Sequence, residues 1–479
     1  MSIKKLCSYT LLSVAVLLVL FRVLAGEEFA CGITKTTMVT EKAIVGEILS
    51  ETMVEQEFYS ENNSITGISV LGTNFGRQID DTLKISLLDA EGKVITEVSL
   101  DTLHLPDGKP WNVEFPAVKG DYKGQILTLR FQSMRGEPGA AVSLYYGDSV
   151  GNGRYEIPVA SDFALLIDGT DMGGQLCLSV TGKTVYWLAQ YYWAFAAVVF
   201  LLVGAVCGWL IYCNRKGKSG FAMRFVAAGV RYRFLLKELV ARDFKTKYKR
   251  IVLGILWSFM NPLLTMMVMY IVFSTLFKSN IENFPVYLLT GIVCWNFFNE
   301  STGSCLTSIT GNAALITKVY VPKYIYPLAR AVSSCVNLFM SLIPLLMVML
   351  LTKAAITPRL LLLPFPLVCL FMFSFGVGLF LASWMVMFRD TQFLWGVVSM
   401  LWMYLTPIFY DASIIPAEYM TLYELNPLYH IIYVMRTLLI DGVSPAPETY
   451  LFCALLSAVP LLLGALVFKK TQDRFVLYL

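Results

Sequence analysis

The chain has almost no histidine, and its cysteines are not spaced for binding a metal. Only His104 and His430 occur in 479 residues, and none of the ten cysteines stands in a CxxC motif. Protein zinc sites are built from clustered Cys and His, so the composition argues against a metal site of that kind. The sequence also lacks a GxxxxGK[ST] loop, and the chain therefore does not cradle the phosphates of ATP by that route.

Charged residues are also scarce. Asp, Glu, Lys and Arg make up 15% of the chain, whereas hydrophobic residues make up 56% and the mean hydropathy is +0.62. An ordinary soluble domain carries about 25% charged residues. Several apolar runs reach the roughly 20 residues that are needed to cross a bilayer. The composition therefore predicts a polytopic α-helical membrane protein.

The charges that are present are unevenly divided. Residues 26–186 hold 23 acidic and 12 basic residues, whereas residues 214–250 are strongly basic. Positive charge beside membrane spans marks the cytoplasmic side, and we prefer this interpretation to nucleic-acid binding. It places both termini in the cytoplasm and residues 26–186 outside.

The N-terminal part is predicted to be two membrane helices that frame a β domain. Residues 1–25 combine Lys4 and Lys5 with a long apolar run, which predicts a retained first membrane helix; a cleaved signal peptide is the alternative. A second membrane helix is expected over residues 187–213. Between them, residues 26–186 show alternating strands and turn signals typical of a β-sandwich, and they resemble the jelly-roll modules of bacterial surface and carbohydrate-handling proteins.

Cys31 and Cys177 are the only cysteines of the segment 26–186, and one lies near each of its ends. If the segment is outside the cell, a disulfide between them would tie its two stems together. Two unpaired thiols are the alternative.

The second half of the chain is predicted to be a membrane domain. Residues 214–250 read as a basic linker and a cytoplasmic amphipathic helix that lies in the interface. Its polar face carries Arg242, Asp243, Lys245 and Lys247. Residues 251–468 then hold six spans, and residues 469–479 form a cytoplasmic tail. The spans are expected at about 251–277, 286–309, 325–352, 359–387, 391–410 and 449–468.

Six segments carry a family resemblance. In chain order they are RDFKTKYKRIVLGILWSFMNPLL, FPVYLLTGIVCWNFF, NAALITKVYVPKYIYPLA, GVGLFLASWMVMFRDTQFL, LTPIFY and ELNPLYHIIYVMR. Together they resemble the membrane subunit of type-2 ABC exporters, in the branch that exports polysaccharide, teichoic acid and O-antigen. The resemblance covers about residues 237–437. The simplest members of this family begin near the interfacial helix, so the resemblance assigns no role to the added module at 1–213.

The resemblance implies a homodimeric channel in the bacterial cytoplasmic (inner) membrane that moves a lipid-linked polysaccharide or teichoic-acid-like polymer. It implies two copies of a separate P-loop ATPase subunit that bind ATP and Mg, while this chain holds no cofactor and no catalytic residue. The ATPase would dock on the loop 310–324. The candidate docking residues are Asn312, Lys318, Val319, Pro322 and Lys323. We expect Asn312 to cap a short helix; the lysines could instead anchor lipid headgroups.

The resemblance also implies a re-entrant segment, 407–437, that closes the exit. Pro407, Pro416 and the pair Asn426-Pro427 break this segment into short pieces. Irregular backbone at membrane depth is tolerated only where it is buried in protein or lines a cavity, so a path is expected behind it.

Several span residues are candidates for the substrate path. Glu300 is an acid deep in a span, which is either functional or engaged in helix–helix hydrogen bonding. The aromatic candidates would stack on sugar rings, with core packing or lipid contact as the alternative. They are Trp257, Tyr270, Trp295, Phe298, Trp402 and Tyr404.

Three other functions stay open at this point. An exporter of a small drug or lipid would share the architecture. A membrane-anchored sensor or adhesion protein would use the β domain and need fewer spans. A membrane glycosyltransferase would need a pair of acids on a cytoplasmic loop, and none is apparent there.

Overall fold

The computed structural model describes residues 3–36, 38–116, 120–151, 156–158, 163–215, 221–248, 256–275, 283–318, 321–354, 356–412 and 415–478. The chain forms two compact units. One is Ala30–Ala189, and the other combines Met1–Phe29 with Gln190–Leu479. The first unit is built of β-strands and the second of helices, so the predicted fold class is confirmed.

The β unit holds fifteen strands within the described residues. They are β1 (Cys31–Lys35), β2 (Ala43–Ile44), β3 (Met53–Tyr59), β4 (Ser64–Thr73), β5 (Thr82–Leu88), β6 (Val94–Asp101), β7 (Lys109–Glu114), β8 (Ile126–Ser133), β9 (Ser143–Gly147), β10 (Ser149–Gly151), β11 (Glu156–Pro158), β12 (Leu165–Ile167), β13 (Thr170–Asp171), β14 (Gln175–Leu176) and β15 (Leu178–Val185).

Thirteen of the strands form two antiparallel sheets that share one core, and β10 and β11 pair separately with each other. One sheet has the order β1-β15-β4-β9-β14, with β2 added to β9 and β7 to β4; the other has the order β13-β12-β3-β8-β5-β6. Alternate residues of β5 and β8, such as Leu83, Ile85, Leu129 and Phe131, are fully buried in the common core. This inside–outside alternation is what a sandwich requires, and the predicted β-sandwich is confirmed.

The predicted disulfide is wrong, because the fold separates its two cysteines. Cys31 pairs with Val185 at one end of β15, whereas Cys177 directly precedes Leu178 at the other end. Eight residues of strand at about 3.3 Å each put the two roughly 26 Å apart. A disulfide needs Cα atoms within about 7 Å of each other. Both thiols are free.

The helical unit contains α1 and the helices that follow the β unit. In chain order they are α1 (Ile3–Ala25), α2 (Trp187–Gln190, at the border of the two units), α3 (Tyr192–Arg215), α4 (Phe221–Tyr248), α5 (Leu256–Thr275), α6 (Phe284–Leu306), α7 (Ala313–Ile316), α8 (Ile325–Leu351), α9 (Pro364–Met387), α10 (Thr391–Leu405), α11 (Ala417–Glu424), α12 (Pro427–Arg436), α13 (Pro447–Thr471) and α14 (Phe475–Tyr478). A π-helical turn, Thr437–Asp441, follows α12.

Five helical segments among the described residues are long and apolar enough to cross a membrane. They are Cys7–Ala25, Tyr192–Cys213, Ile325–Leu351, Pro358–Met387 and Pro447–Arg474. Each of the six spans predicted after residue 250 coincides with a helix. Three of these six helices are not among the five that are long and apolar enough: α5 has a shorter apolar stretch, α6 carries Asn299 and Glu300, and α10 has 15 residues.

Two glycines bring α9 and α13 into backbone contact. A Cβ atom on Gly464 would lie 2.0 Å from the carbonyl oxygen of Gly376, and one on Gly376 would lie 2.4 Å from the backbone nitrogen of Leu461. Small residues at a helix crossing let the backbones approach and gain dispersion contacts that lipid cannot supply. This crossing is therefore a close backbone-to-backbone contact within the helical unit.

The first helix is packed into the helical unit. The Thr10 hydroxyl of α1 lies 3.6 Å from the Cys207 sulfur of α3. Further along α1, Phe21 makes an edge contact with Tyr450 of α13, with 5.1 Å between the ring centroids. Just beyond α1, Glu28 forms an ion pair of 2.8 Å with Arg359. These contacts join α1 to segments far away in sequence.

The amphipathic helix α4 has 28 residues. It begins at Phe221, within the stretch 214–250 that the sequence assigned to a basic linker and this helix. Leu239 is buried in a cluster with Tyr326 and Phe475, so one face of α4 packs on α8 and on the C-terminal segment. The polar residues Asp243 and Lys247 follow on the same side of α4, one and two turns after Leu239.

Candidate functional site

A polar cavity of about 580 Å³ lies where α4, α6, α8 and the segment after α6 meet. We call it the polar cavity. Its charged and amide-bearing lining consists of Arg242, Asp243, Lys247, Glu300, Asn312 and Arg330. The sequence analysis had assigned five of these six to three separate groups: the interfacial helix, the docking loop and the substrate path. The structure brings them together because α4 packs across the ends of α6 and α8.

Glu300 is paired inside this cavity. The Lys247 ammonium of α4 lies 2.9 Å from its Oε1 atom, and the Asn337 amide of α8 donates to the same oxygen. A carboxylate in a membrane span is costly unless it is paired and hydrogen-bonded. The partners come from two other helices, α4 and α8. Glu300 therefore joins three helices.

A second ion-pair set fastens α4 to α8. One oxygen of Asp243 lies 3.2 Å from Nη1 of Arg330, and the other lies 3.3 Å from Nη2 of Arg242. Only 9% of the Asp243 side chain is exposed, so this carboxylate is nearly removed from water between two guanidinium groups. Sequence reasoning missed Arg330. The available signal was a cation within an apolar span, which normally marks a paired residue.

Asn312 connects the expected docking loop to α4. Its Oδ1 atom accepts a hydrogen bond of 3.2 Å from Arg242, and its Nδ2 atom donates to the Ser308 carbonyl at 2.8 Å. Asn312 precedes α7, but its side chain makes no capping hydrogen bond. The predicted capping role is therefore wrong, because the side-chain amide of Asn312 hydrogen-bonds to Arg242 and to the Ser308 carbonyl instead.

The other docking candidates lie along the same loop. Lys318 is exposed, and Pro322 is half-buried before α8. The Lys323 ammonium donates to the Gln472 carbonyl at 2.6 Å and lies 5.9 Å from the centre of the Phe475 ring. Lys323 thus holds the C-terminal segment. Val319 lies outside the described residues.

The aromatic path candidates fall into two groups. Phe298 is fully buried and stacks on Phe373 with 5.0 Å between the ring centroids. Trp295 and Trp402 each lie 5.5 Å from Phe298, which makes these three candidates part of one packed cluster. The other three are exposed on the surface of the helical unit. They are Trp257 (49%), Tyr270 (40%) and Tyr404 (61%).

The re-entrant candidates are held together by Asn426. Its Oδ1 atom accepts from the backbone of Leu428, which caps α12, and from the Trp402 indole at 3.0 Å. Its Nδ2 atom donates to the Thr406 hydroxyl at 2.9 Å. Pro427 is the first residue of α12, where its missing N–H costs nothing, and Pro416 stands at the start of α11. Pro407 is buried after α10.

Arg436 holds the start of this segment and was missed by the sequence reasoning. Its guanidinium donates to the carbonyl oxygens of Pro407 at 2.8 Å, Ile408 at 2.9 Å and Tyr287 at 3.3 Å. It also lies 3.3 Å from the centre of the Tyr287 ring. Backbone that has left a helix within a membrane domain needs such donors. Its only sequence signal was its place at the end of ELNPLYHIIYVMR.

A smaller cavity of about 280 Å³ adjoins Arg436, and we call it the tyrosine pocket. Tyr287, Tyr429, Tyr433, Asp411, Asp441 and Arg436 are among its lining residues. Tyr287 and Glu300 both lie on α6 and are 13 residues apart, which is about 20 Å along a helix. The tyrosine pocket and the polar cavity therefore lie at opposite ends of α6.

Comparison with known proteins agrees with this architecture. The sequence model of the family described as ABC-2 type transporter matches residues 235–440. The chain is 31% identical over 257 residues to the O-antigen export system permease protein RfbA of Myxococcus xanthus, covering 53% of this chain and 98% of that protein. A protein of the same name from Klebsiella pneumoniae is 31% identical over 247 residues, covering 50% of this chain and 93% of that protein.

A more distant relative is the polysialic acid transport protein KpsM of Escherichia coli. It is 20% identical over 259 residues, which cover 53% of this chain and 97% of that protein. All three relatives are thus matched over nearly their whole length by about half of this chain. The helices, the matched segment and these relatives agree: the chain is a multi-pass membrane protein that belongs to the ABC-2 type transporter family.

Proposed function

We propose that this chain is the channel subunit of an ATP-driven exporter. Its cargo is a lipid-linked polysaccharide or teichoic-acid-like polymer, which it moves across the bacterial cytoplasmic membrane. Family membership supports the transporter role, and the cargo is supported by relatives named for O-antigen export and polysialic acid transport. The chain supplies the membrane path, and a separate P-loop ATPase binds ATP and Mg.

The polar cavity is the observation that carries this proposal. The loop 310–324, which would receive the ATPase, is tied to α4 by the Arg242–Asn312 hydrogen bond. From α4, the Asp243–Arg330 pair reaches α8 and the Lys247–Glu300 pair reaches α6. A displacement of the docking segment would thus be passed to two spans through three polar contacts. Such a linkage is what a membrane subunit driven by a separate motor needs.

The full assembly in this proposal is a homodimer of this chain with two ATPase subunits. The docking segment, α4 and both termini lie on the cytoplasmic side, and residues 26–186 lie outside. The strongly basic stretch 214–250 supports this orientation, because positive residues beside spans stay inside. The short helices α11 and α12 then lie toward the outer leaflet and close the exit.

The test is a deletion of the gene in its host, followed by assay of surface polysaccharide and of lipid-linked polymer inside the cell. We expect surface polymer to be lost and lipid-linked polymer to accumulate at the cytoplasmic leaflet. Normal surface polymer with no accumulation would overturn the proposal. A strain that instead loses resistance to a small toxic compound would identify a drug exporter.

Docking is tested separately by purification of the tagged chain. We expect the P-loop ATPase to co-purify with the wild-type chain and to be depleted by Lys318→Glu. Lys353→Glu, a charge reversal at another exposed lysine, is the matched control and should retain the ATPase. Full recovery of the ATPase with Lys318→Glu would show that it docks elsewhere.

A further inference from the structure

We propose that the tyrosine pocket binds one sugar residue of the exported polymer, and that this residue is neutral or carries an amino group. The inference rests on the proposed export of a polysaccharide and adds a defined subsite to it. The pocket lies between α6, α12 and the residues after α10. Its volume of about 280 Å³ equals about nine waters at liquid density, which suits a single sugar ring.

One side of the tyrosine pocket is an aromatic wall formed by Tyr429 and Tyr433. Tyr429 and Tyr433 are one turn apart on α12, and their rings stack with 6.4 Å between the centroids and 20° between the planes. Tyr433 is 47% exposed, so its ring is open to a ligand. The C–H groups on one face of a sugar ring carry a partial positive charge, which the negative face of an aromatic ring attracts.

The tyrosine pocket also has a charged lining. Asp411 and Asp441 contribute carboxylates, which accept hydrogen bonds from sugar hydroxyls or from an ammonium group. With Arg436, the three charged residues of the lining carry one net negative charge. The carboxylates therefore favour neutral and amino sugars and disfavour uronic acids and phosphorylated sugars, which would meet like charge.

The side of the pocket that Tyr287 and Arg436 form is held in place without a ligand. The Tyr287 hydroxyl donates to the Tyr410 carbonyl at 2.7 Å, and the Tyr287 ring lies under the Arg436 guanidinium. Arg436 also anchors Pro407 and Ile408 at the edge of the pocket. A site whose walls are fixed beforehand loses little freedom when it binds, so even one sugar ring can be held.

Direct binding is the test. The full chain is reconstituted in lipid nanodiscs, and saturation-transfer NMR is recorded with four probes: methyl glucoside, methyl N-acetylglucosaminide, methyl glucosaminide and methyl glucuronide. We expect transfer to at least one of the first three and little to the glucuronide. Tyr433→Ala should weaken that binding by about threefold to tenfold, the scale of one aromatic contact. Asp441→Asn should weaken binding of the amino sugar most.

Tyr478→Ala is the matched control, because Tyr478 is an exposed tyrosine on α14, outside the pocket. It should leave binding unchanged. Tyr433→Phe keeps the ring and should retain most of the binding, which guards against a folding defect in the alanine variant. Three outcomes would each overturn the inference: no transfer to any neutral or amino sugar, equal binding by Tyr433→Ala, or strongest binding of the glucuronide.

The two proposals fail differently. If the deletion strain loses surface polysaccharide but the purified chain binds none of the sugars, the subsite is wrong and the exporter stands. If the deletion strain keeps normal surface polysaccharide, the proposed function is wrong whatever the NMR result, and the subsite falls with it.

Discussion

Lys247 of α4 and Glu300 of α6 form an ion pair of 2.9 Å across the polar cavity. The pair joins the amphipathic helix to a span, and the Asn337 amide of α8 adds a third helix to the junction. The side chains are 46% and 34% exposed, so water screens much of their attraction. The pair therefore matters more for the relative position of the helices than for the free energy of unfolding.

Charge reversal tests this junction. Lys247→Glu places two carboxylates side by side, and we expect it to lower export strongly. The double variant Lys247→Glu/Glu300→Lys should recover much of the loss. Thermal unfolding should give a coupling energy of about 0.5–1 kcal/mol, the upper part of the range for exposed pairs. Lys237→Glu, a charge reversal at an exposed position on the same helix, is the control. If Lys237→Glu lowered export as much as Lys247→Glu does, the role of the pair would be contradicted.

The crossing of α9 and α13 should not tolerate a side chain. Gly464→Ala would force its methyl group against the Gly376 carbonyl oxygen, which lies 2.0 Å from the Cβ position. Overpacking of this kind costs about 1–3 kcal/mol. We expect a clear drop in Tm of the purified protein. Gly396→Ala on α10 is the control, since a Cβ atom there meets nothing within 4 Å; an unchanged Tm for Gly464→Ala would rule out the tight crossing.

Asn426→Ala should loosen the re-entrant segment. The change removes the cap of α12 and the hydrogen bonds to Trp402 and Thr406. Loss of an N-cap alone costs about 1 kcal/mol. We expect faster hydrogen exchange in the first turn of α12, measured by mass spectrometry. Asn426→Asp keeps the capping oxygen and should protect that turn; equal exchange in the wild type and the alanine variant would contradict the capping role.

The two cysteines of the β unit should differ in reactivity. Burial raises the pKa of the Cys177 thiol to about 12, with a smaller contribution from the Glu41 carboxylate. Since the thiolate is the nucleophile, Cys177 should stay unlabelled by maleimide at mildly alkaline pH until the domain unfolds. Cys31 is half-buried and should be labelled first. A Cys31–Cys177 linked peptide in a non-reducing digest would contradict the strand register.

Residues 1–25 should be retained in the mature protein. Phe21 contacts Tyr450 and lies 6.4 Å from the Phe365 ring, so removal of α1 would uncover an aromatic cluster. We expect the intact mass to include residues 1–25, and Phe21→Ala to lower the Tm. Val16→Ala, at a largely exposed position on the same helix, is the control. A mature N-terminus at Gly26 would show that this segment is a cleaved signal peptide.

Local patterns were enough for the outline of this protein. Apolar runs of membrane length predicted the helices of the second half, and alternating residues within 26–186 predicted the strands of the β unit. These signals are local because one helix or strand must satisfy its own backbone and its own hydrophobic face. The ordered motifs then indicated the transporter family.

Contacts between distant segments could not be predicted from the sequence. Cys31 and Cys177 were paired because they are the only cysteines of the segment 26–186, but the register of β1 on β15 places them at opposite ends of β15. Asn312 was expected to cap a helix, but it bonds to Arg242, 70 residues away. In both cases the partner depends on which elements pack together, and the sequence near each residue does not determine that packing.

The sequence by itself determined that this is a multi-pass membrane protein with an inserted β domain, because hydrophobic length and periodicity are properties of single segments. Only the tertiary structure decided that Arg242, Lys247, Glu300 and Asn312 share one cavity, and that Arg436 organises another at the far end of α6. The physical reason is that a buried charge takes its partner from whichever helix packs beside it.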